Sequence, residues 1–206
     1  MQIDLYLDMT CPWCYIGFKR LQNVFNDYSE HPFELKIIGY QLNDTIPLEG
    51  IYYSDLYSSM ITDPEKRKSS IAKITEIGRS LQIDFRYDLK LINCHTLYAH
   101  RLLKRSPQEK KIMLLEAIFK GIFTEGKNLS DINTLMAISE ICGIASRAEI
   151  ESFLRSNEMS VEVQNDFKLS ESSPIITIPY VVVDNTYSIQ AVHLPEVLSS
   201  CIRNLL

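Results

Sequence analysis

The chain has 206 residues, 46% of them apolar and 23% charged, enough apolar side chain to bury a substantial core. A formal net charge of −5 speaks against a general nucleic-acid partner, which favours a basic surface. No run of 18 apolar residues is present, and the chain opens on strand-like sequence rather than a basic stretch followed by an apolar one. Neither a membrane anchor nor a secretory leader is expected, and the protein is expected in the cytoplasm.

Gln2-Ile3-Asp4-Leu5-Tyr6-Leu7 alternates, with Ile3, Leu5 and Leu7 on one face, and predicts a strand. Tyr15 to Tyr28 carries Phe18, Leu21, Val24, Phe25 and Tyr28 at helical spacing. Between them lies Cys11-Pro12-Trp13-Cys14. Cys11 is thereby expected at a strand-to-helix turn, where unpaired backbone N–H groups and the positive end of the helix dipole favour an anion. A thiolate is such an anion, and CxxC motifs in this setting are the reactive ones. Two intervening residues let the second thiol close a disulfide across the first helical turn. Cys11 is then the nucleophile, and Cys14 the resolving thiol that attacks a mixed disulfide formed on Cys11. Pro12 suits the first helical position because it has no N–H to leave unpaired, and Trp13 is the single tryptophan of the chain. Both are read as tuners of the pair.

Two other uses of a CxxC stand beside this one. A structural zinc site takes about four ligands, commonly a second CxxC or a spaced histidine pair. No second CxxC exists, and His31, His95, His100 and His193 form no close pair, so no metal is expected. A purely structural cysteine pair is the other alternative. Cys94, Cys142 and Cys201 lie among apolar residues of predicted helices and read as small buried hydrophobes.

Phe33 to Ile38 alternates as a second strand. From Pro47 to Ser173 the pattern is helical, with five or six helices expected. Asp63-Pro64-Glu65 predicts an N-cap, an N1 proline and a first-turn acid ahead of a helix running toward Leu81. Asn93 is the expected cap of a helix over 94–104, and Ser106-Pro107-Gln108-Glu109 reads as a capping box before Ile112, Leu115, Ile118, Phe119 and Ile122. Gly126 closes that helix, Ser130 starts one that runs to Ile141 and ends at Gly143, and Ser146-Arg147-Ala148-Glu149 is a second capping box. Pro179 to Val183 is a β-branched run, Asp184-Asn185 a turn, and Tyr187 to Ala191 a returning strand. A last helix from Pro195 turns Val197, Leu198, Ile202 and Leu205 inward. The order β-α-β, helical block, β-β-α is that of an α/β thioredoxin-like fold interrupted by a large all-helical insertion. It implies a discontinuous domain of residues 1–46 and 174–206 and an insertion of residues 47–173.

Cys11-Pro12-Trp13-Cys14-Tyr15-Ile16-Gly17 resembles the CPWCYIG signature of the FrnE-like cytoplasmic branch of the DsbA-like thioredoxin proteins. Asn93 to Leu102 is similar to that branch's N-T-x-x-A-H-R segment, and Glu116 to Asp131 to its A-x-F-x-x-F-x-E-G-x-x-I-x-D stretch. The likeness covers nearly the whole chain. It implies a cis-proline loop facing the dithiol, matched here by Ile178-Pro179, which would leave the Ile178 backbone N–H and C=O to pair with an extended substrate. By residue type alone, a trans proline opening a strand is the alternative. The chain departs from the branch where an S-G-A-Q segment is usual and Gln190-Ala191-Val192-His193 stands instead. His193 is a candidate electrostatic tuner of Cys11, or a hydrogen-bonded surface residue. His95 and His100, five positions apart, do not share a helix face as a metal pair would and read as packing or polar contacts.

The resemblance implies a thiol–disulfide oxidoreductase acting on a disulfide- or thiol-containing protein or small molecule, with no bound cofactor and with glutathione as a candidate electron donor or co-substrate. A related branch performs glutathione-dependent isomerase or transferase chemistry, with serine typically in place of the first cysteine. Retention of both Cys11 and Cys14 favours redox chemistry over it. The third alternative is a chaperone-like binding protein that uses the helical block to hold unfolded chains.

Overall fold

The computed structural model describes residues 1–30, 33–190 and 196–205, apart from the side chains of Leu198, Ile202 and Leu205. In chain order the elements are β1 (Gln2–Leu7), α1 (Pro12–Asp27), β2 (Glu34–Gly39), β3 (Ile51–Tyr52), α2 (Tyr53–Met60), α3 (Pro64–Ser80), β4 (Ile92–Asn93), α4 (Leu97–Arg105), α5 (Gln108–Phe123), α6 (Ile132–Ile141), α7 (Arg147–Arg155), α8 (Ser160–Ser172), β5 (Tyr180–Val183), β6 (Tyr187–Gln190) and α9 (Glu196–Leu205). They form two compact units, one of Met1–Leu42 with Asn165–Leu206 and the other of Asn43–Gln164.

The first unit is built on a sheet of order β2-β1-β5-β6. Ile3, Leu5 and Leu7 of β1 are fully buried, and Asp4 and Tyr6 on the other face are nearly so, the signature of a strand covered on both sides. β1 runs parallel to β2, from Gln2 opposite Glu34 to Leu7 opposite Gly39, and α1 is the crossover that such a pair requires. On its other side β1 meets β5 antiparallel, from Ile3 opposite Val183 to Tyr6 opposite Tyr180. Asp184 and Asn185 turn the chain at φ of 44° and 54°, a left-handed conformation that these two residue types tolerate. Helix α8 holds the end of β2: Ser170 Oγ donates to Gly39 O at 2.8 Å, and Gly39 N donates to Asp166 Oδ2 at 3.4 Å. In α9, Val197 is 44% exposed rather than inward-facing, because the first turn of the helix faces solvent.

The second unit packs around α5, whose Leu114, Leu115, Ile118, Phe119, Ile122 and Phe123 are fully buried. Two of the expected helix starts form as read. Asp63 accepts from the N–H groups of Glu65 and Lys66, and Ser146 with Glu149 makes the reciprocal capping box. Three do not, because the side chain or backbone has another partner. Asn93 lies in β4 opposite Ile51, and α4 begins only after Thr96. Ser106 ends α4 instead of capping α5, its hydroxyl donating to Leu102 O at 2.7 Å. Ser130 accepts from His95 N at 3.0 Å, and Asp131 caps α6. Seven helices, α2 to α8, occupy the stretch where periodicity predicts five or six. The additional ones carry little amphipathic signal: α2 buries only Tyr53, and in α8 the buried Val163 and Phe167 alternate with exposed Val161 and Leu169.

Candidate active site

Cys11 is the N-cap of α1, in extended backbone at φ −90° and ψ 115°. Its carbonyl accepts from Cys14 N at 3.0 Å and Tyr15 N at 3.3 Å, its own N–H donates to Asp8 O at 3.2 Å, and Pro12 opens the helix. No acidic side chain occupies the first turn of α1, so nothing there competes with an anion for the amides. Both cysteines are free thiols, and they are unequal. Cys11 is 7% exposed and Cys14 is sealed. Burial, and then the hydrogen bond that the Cys14 thiol makes to Cys11, hold Cys14 well above the ordinary thiol range. At neutral pH Cys14 is therefore a protonated thiol with no exposure, beside Cys11, which is buried but keeps slight exposure.

The turn that sets Cys11 at the helix start is pinned by Asp8, a residue that sequence patterning passes over. Asp8 is 3% exposed. Its Oδ1 accepts from Thr10 N and Thr10 Oγ1, each at 2.9 Å, and its Oδ2 accepts from Leu42 N at 2.8 Å. One carboxylate thus ties the end of β1, the turn into α1 and the chain beyond β2 together. Its backbone N–H bonds the Cys14 sulfur and eases that thiol downward, while its charge pushes slightly upward. An Asp two residues before a Thr at a strand end is the Asx-turn pattern that could have flagged it.

Pro12 is buried and Trp13 half-buried beside the dithiol. The Ile178–Pro179 peptide bond is cis, with Ile178 8% exposed. Since Tyr180 stands opposite Tyr6, this bond lies at the end of the sheet from which β1 leads into the Asp8–Cys11 turn. Cys11, Cys14, Pro12, Trp13, Ile178 and Pro179 are thus brought to one end of one sheet, and His193 lies outside the described residues. His95 and His100 belong to the second unit. His95 Nδ1 accepts from Leu97 N at 3.4 Å, and His100 is buried, where desolvation and the nearby Lys104 lower it to about 3. Among the described residues no cluster of three His, Cys, Asp or Glu side chains could hold a metal, and no helix is long and apolar enough to cross a membrane.

The family profile of the DSBA-like thioredoxin domain matches residues 2–199. The chain belongs to that family. Its fold also matches solved DsbA-like structures. A probable DsbA oxidoreductase from Streptomyces coelicolor superposes with a TM-score of 0.88 at 18% identity, over 99% of this chain and 89% of the other. A 2-hydroxychromene-2-carboxylate isomerase gives 0.74 at 17%, over 100% and 96%. The cytosolic disulfide reductase DsbM from Pseudomonas aeruginosa gives 0.69 at 10%, over 100% and 98%, and has also been solved with glutathione. At these identities the likeness is one of fold. No curated protein matches significantly in sequence.

Proposed function

We propose that the protein is a thiol–disulfide oxidoreductase of the DsbA type, in its FrnE-like branch, that works through Cys11 and Cys14. The observation that carries this reading is the pairing of a slightly exposed cysteine at the N-cap of α1 with a fully buried one across its first turn, within hydrogen-bonding reach of each other. Such a pair separates attack from resolution. The Cys11 thiolate attacks one sulfur of a substrate disulfide, forming a mixed disulfide and releasing the other half as a thiolate that takes up a proton. Cys14 gives up its proton and attacks Cys11 Sγ, closing the Cys11–Cys14 disulfide and releasing the second half as a thiol. Two electrons pass from the dithiol to the substrate, and the reverse sequence oxidises a substrate dithiol.

Pro12 and Trp13 tune the pair, Asp8 positions it, and the Ile178–Pro179 backbone faces an extended disulfide- or thiol-bearing protein or a small molecule. In this reading His193, at the departure from the branch's pattern, modulates Cys11. Glutathione is the candidate electron donor, supported by the glutathione-bound reductase of the same fold, and the cytoplasm is the expected compartment. Dithiols of this fold span about −270 to −120 mV against a cytosolic glutathione poise of about −320 to −220 mV, so an oxidant-like pair would stand reduced in the cell and act as a reductase. The 2-hydroxychromene-2-carboxylate isomerase has the same fold, and the retention of both Cys11 and Cys14 here favours the redox reading over an isomerase one.

Incubation with oxidised glutathione tests the division of roles. Cys14→Ser should accumulate a stable mixed disulfide on Cys11, seen by intact mass, while Cys11→Ser should accumulate none. Equal modification of both variants, or of neither, would overturn the assignment.

A further inference from the structure

The second unit contains a cavity of about 270 Å³ between α2, the first half of α3 and the segment 87–91. Its walls include the rings of Tyr53, Tyr57 and Tyr87, with centroids 5.7 to 6.5 Å apart and tilted or edge-on to one another. Two of these rings are buttressed from behind. Phe85 stacks on Tyr87 with centroids 5.9 Å apart, and Phe123, fully buried, meets Tyr53 edge-on at 5.9 Å. Ile71 and Leu91 complete the apolar lining. The aromatic walls are thus set before any ligand arrives, as in preformed binding sites, and the volume lies at the small end of such sites.

The charges decide what fits. A cage of tyrosine rings alone would suit a cation. Here the charged residues that line the cavity are Arg67 and Lys90, and no carboxylate is among the described lining residues. A cationic ligand is repelled, and an anion is drawn in. Arg67 is half-buried, and its Nη1 donates to Ile61 O at 2.6 Å, which fixes the guanidinium plane at the wall. A fixed guanidinium fork matches the geometry of a carboxylate.

We infer that this cavity binds a small aromatic carboxylate, its ring against the wall formed by Tyr53, Tyr57 and Tyr87 and its carboxylate toward Arg67 and Lys90. The site belongs to the second unit, and the inference does not depend on the chemistry of the dithiol. Helix α2, which buries only Tyr53, is the element such a ligand would brace.

Fluorine NMR of the full chain with 4-fluorophenylacetate, against its neutral isostere 4-fluorophenylacetamide, tests this directly. The acid should bind about tenfold or more tightly than the amide, as one charge-assisted hydrogen bond implies. Arg67→Gln should lower the acid's affinity by a similar factor and leave the amide unchanged. Lys90 is exposed, so Lys90→Gln preserves the fold and should weaken the acid severalfold. Equal binding of acid and amide, no binding at millimolar probe, or acid binding unaffected by Lys90→Gln would overturn the proposal.

Discussion

Each unit buries a charged side chain that backbone groups meet. In the first unit it is the anion Asp8, 3% exposed, which accepts from Thr10 N and Leu42 N as well as from the Thr10 hydroxyl. In the second it is the cation Arg101, 1% exposed. Its Nε donates to Glu158 O at 2.7 Å and its Nη2 to Phe153 O at 3.0 Å and Ser156 O at 2.7 Å, with Leu154 O at 3.4 Å from Nη1. The guanidinium also lies over the Phe153 and Tyr98 rings, 5.1 and 5.7 Å from their centroids. The physical device is shared: a buried charge is tolerable when fixed dipoles surround it. Its use differs. Arg101 satisfies the carbonyls that end α7 and start the next segment, a purely architectural task. Asp8 sets a turn whose product is a reactive sulfur at the start of α1.

The largest expected effect separates the two. Arg101→Met should cost about 3–5 kcal/mol in urea denaturation, since several carbonyls lose their donor at about 1–3 kcal/mol each and water recovers part of it. A loss below about 1 kcal/mol would mean that Arg101 does not tie α4 to α7. His100 extends the comparison to a buried group that stays neutral. Because the folded imidazole titrates at about 3 and the unfolded one at about 6.5, the unfolded chain takes up the extra proton as pH falls. Stability should drop by about 2 kcal/mol between pH 7 and pH 5, and His100→Leu should remove that part of the slope. An unchanged slope would place His100 in contact with solvent.

Asp8→Asn keeps an acceptor for Thr10 but sets an amide against Leu42 N, which should cost about 1–2 kcal/mol. The smallest expected effect is electrostatic. In a Cys11→Ser background, the pH at which Cys14 becomes alkylatable should fall slightly on Asp8→Asn, because burial outranks the Asp8 charge in raising it. No change would show that Asp8 acts on Cys14 through its backbone N–H alone.

Much of this was legible in residue order. The alternation of Ile3, Leu5 and Leu7 marks β1, and the N1 proline with two cysteines marks the start of α1. Asp63 and Ser146 announce their helices because nothing else claims their side chains. Asn93, Ser106 and Ser130 mislead for the opposite reason: each has a partner brought by distant or preceding chain, the β3 backbone, Leu102 O and His95 N respectively. The two-residue strands β3 and β4 are too short to show a period. Asp8 and Arg101 escape because a charged residue in sequence reads as exposed, and only the backbone groups that fold around it make burial tolerable. The tyrosine cavity escapes too, since Tyr57, Arg67 and Tyr87 converge from three separate segments.

Whether Cys11 and Cys14 form a working couple is tested most directly by equilibrating the protein with graded glutathione buffers. The redox state is read by fluorescence of Trp13, the single tryptophan, with Cys14→Ala as control. A reversible two-electron transition with a midpoint between about −270 and −120 mV, absent from the control, is the predicted result. Two thiols that stay free across the whole buffer range would contradict it.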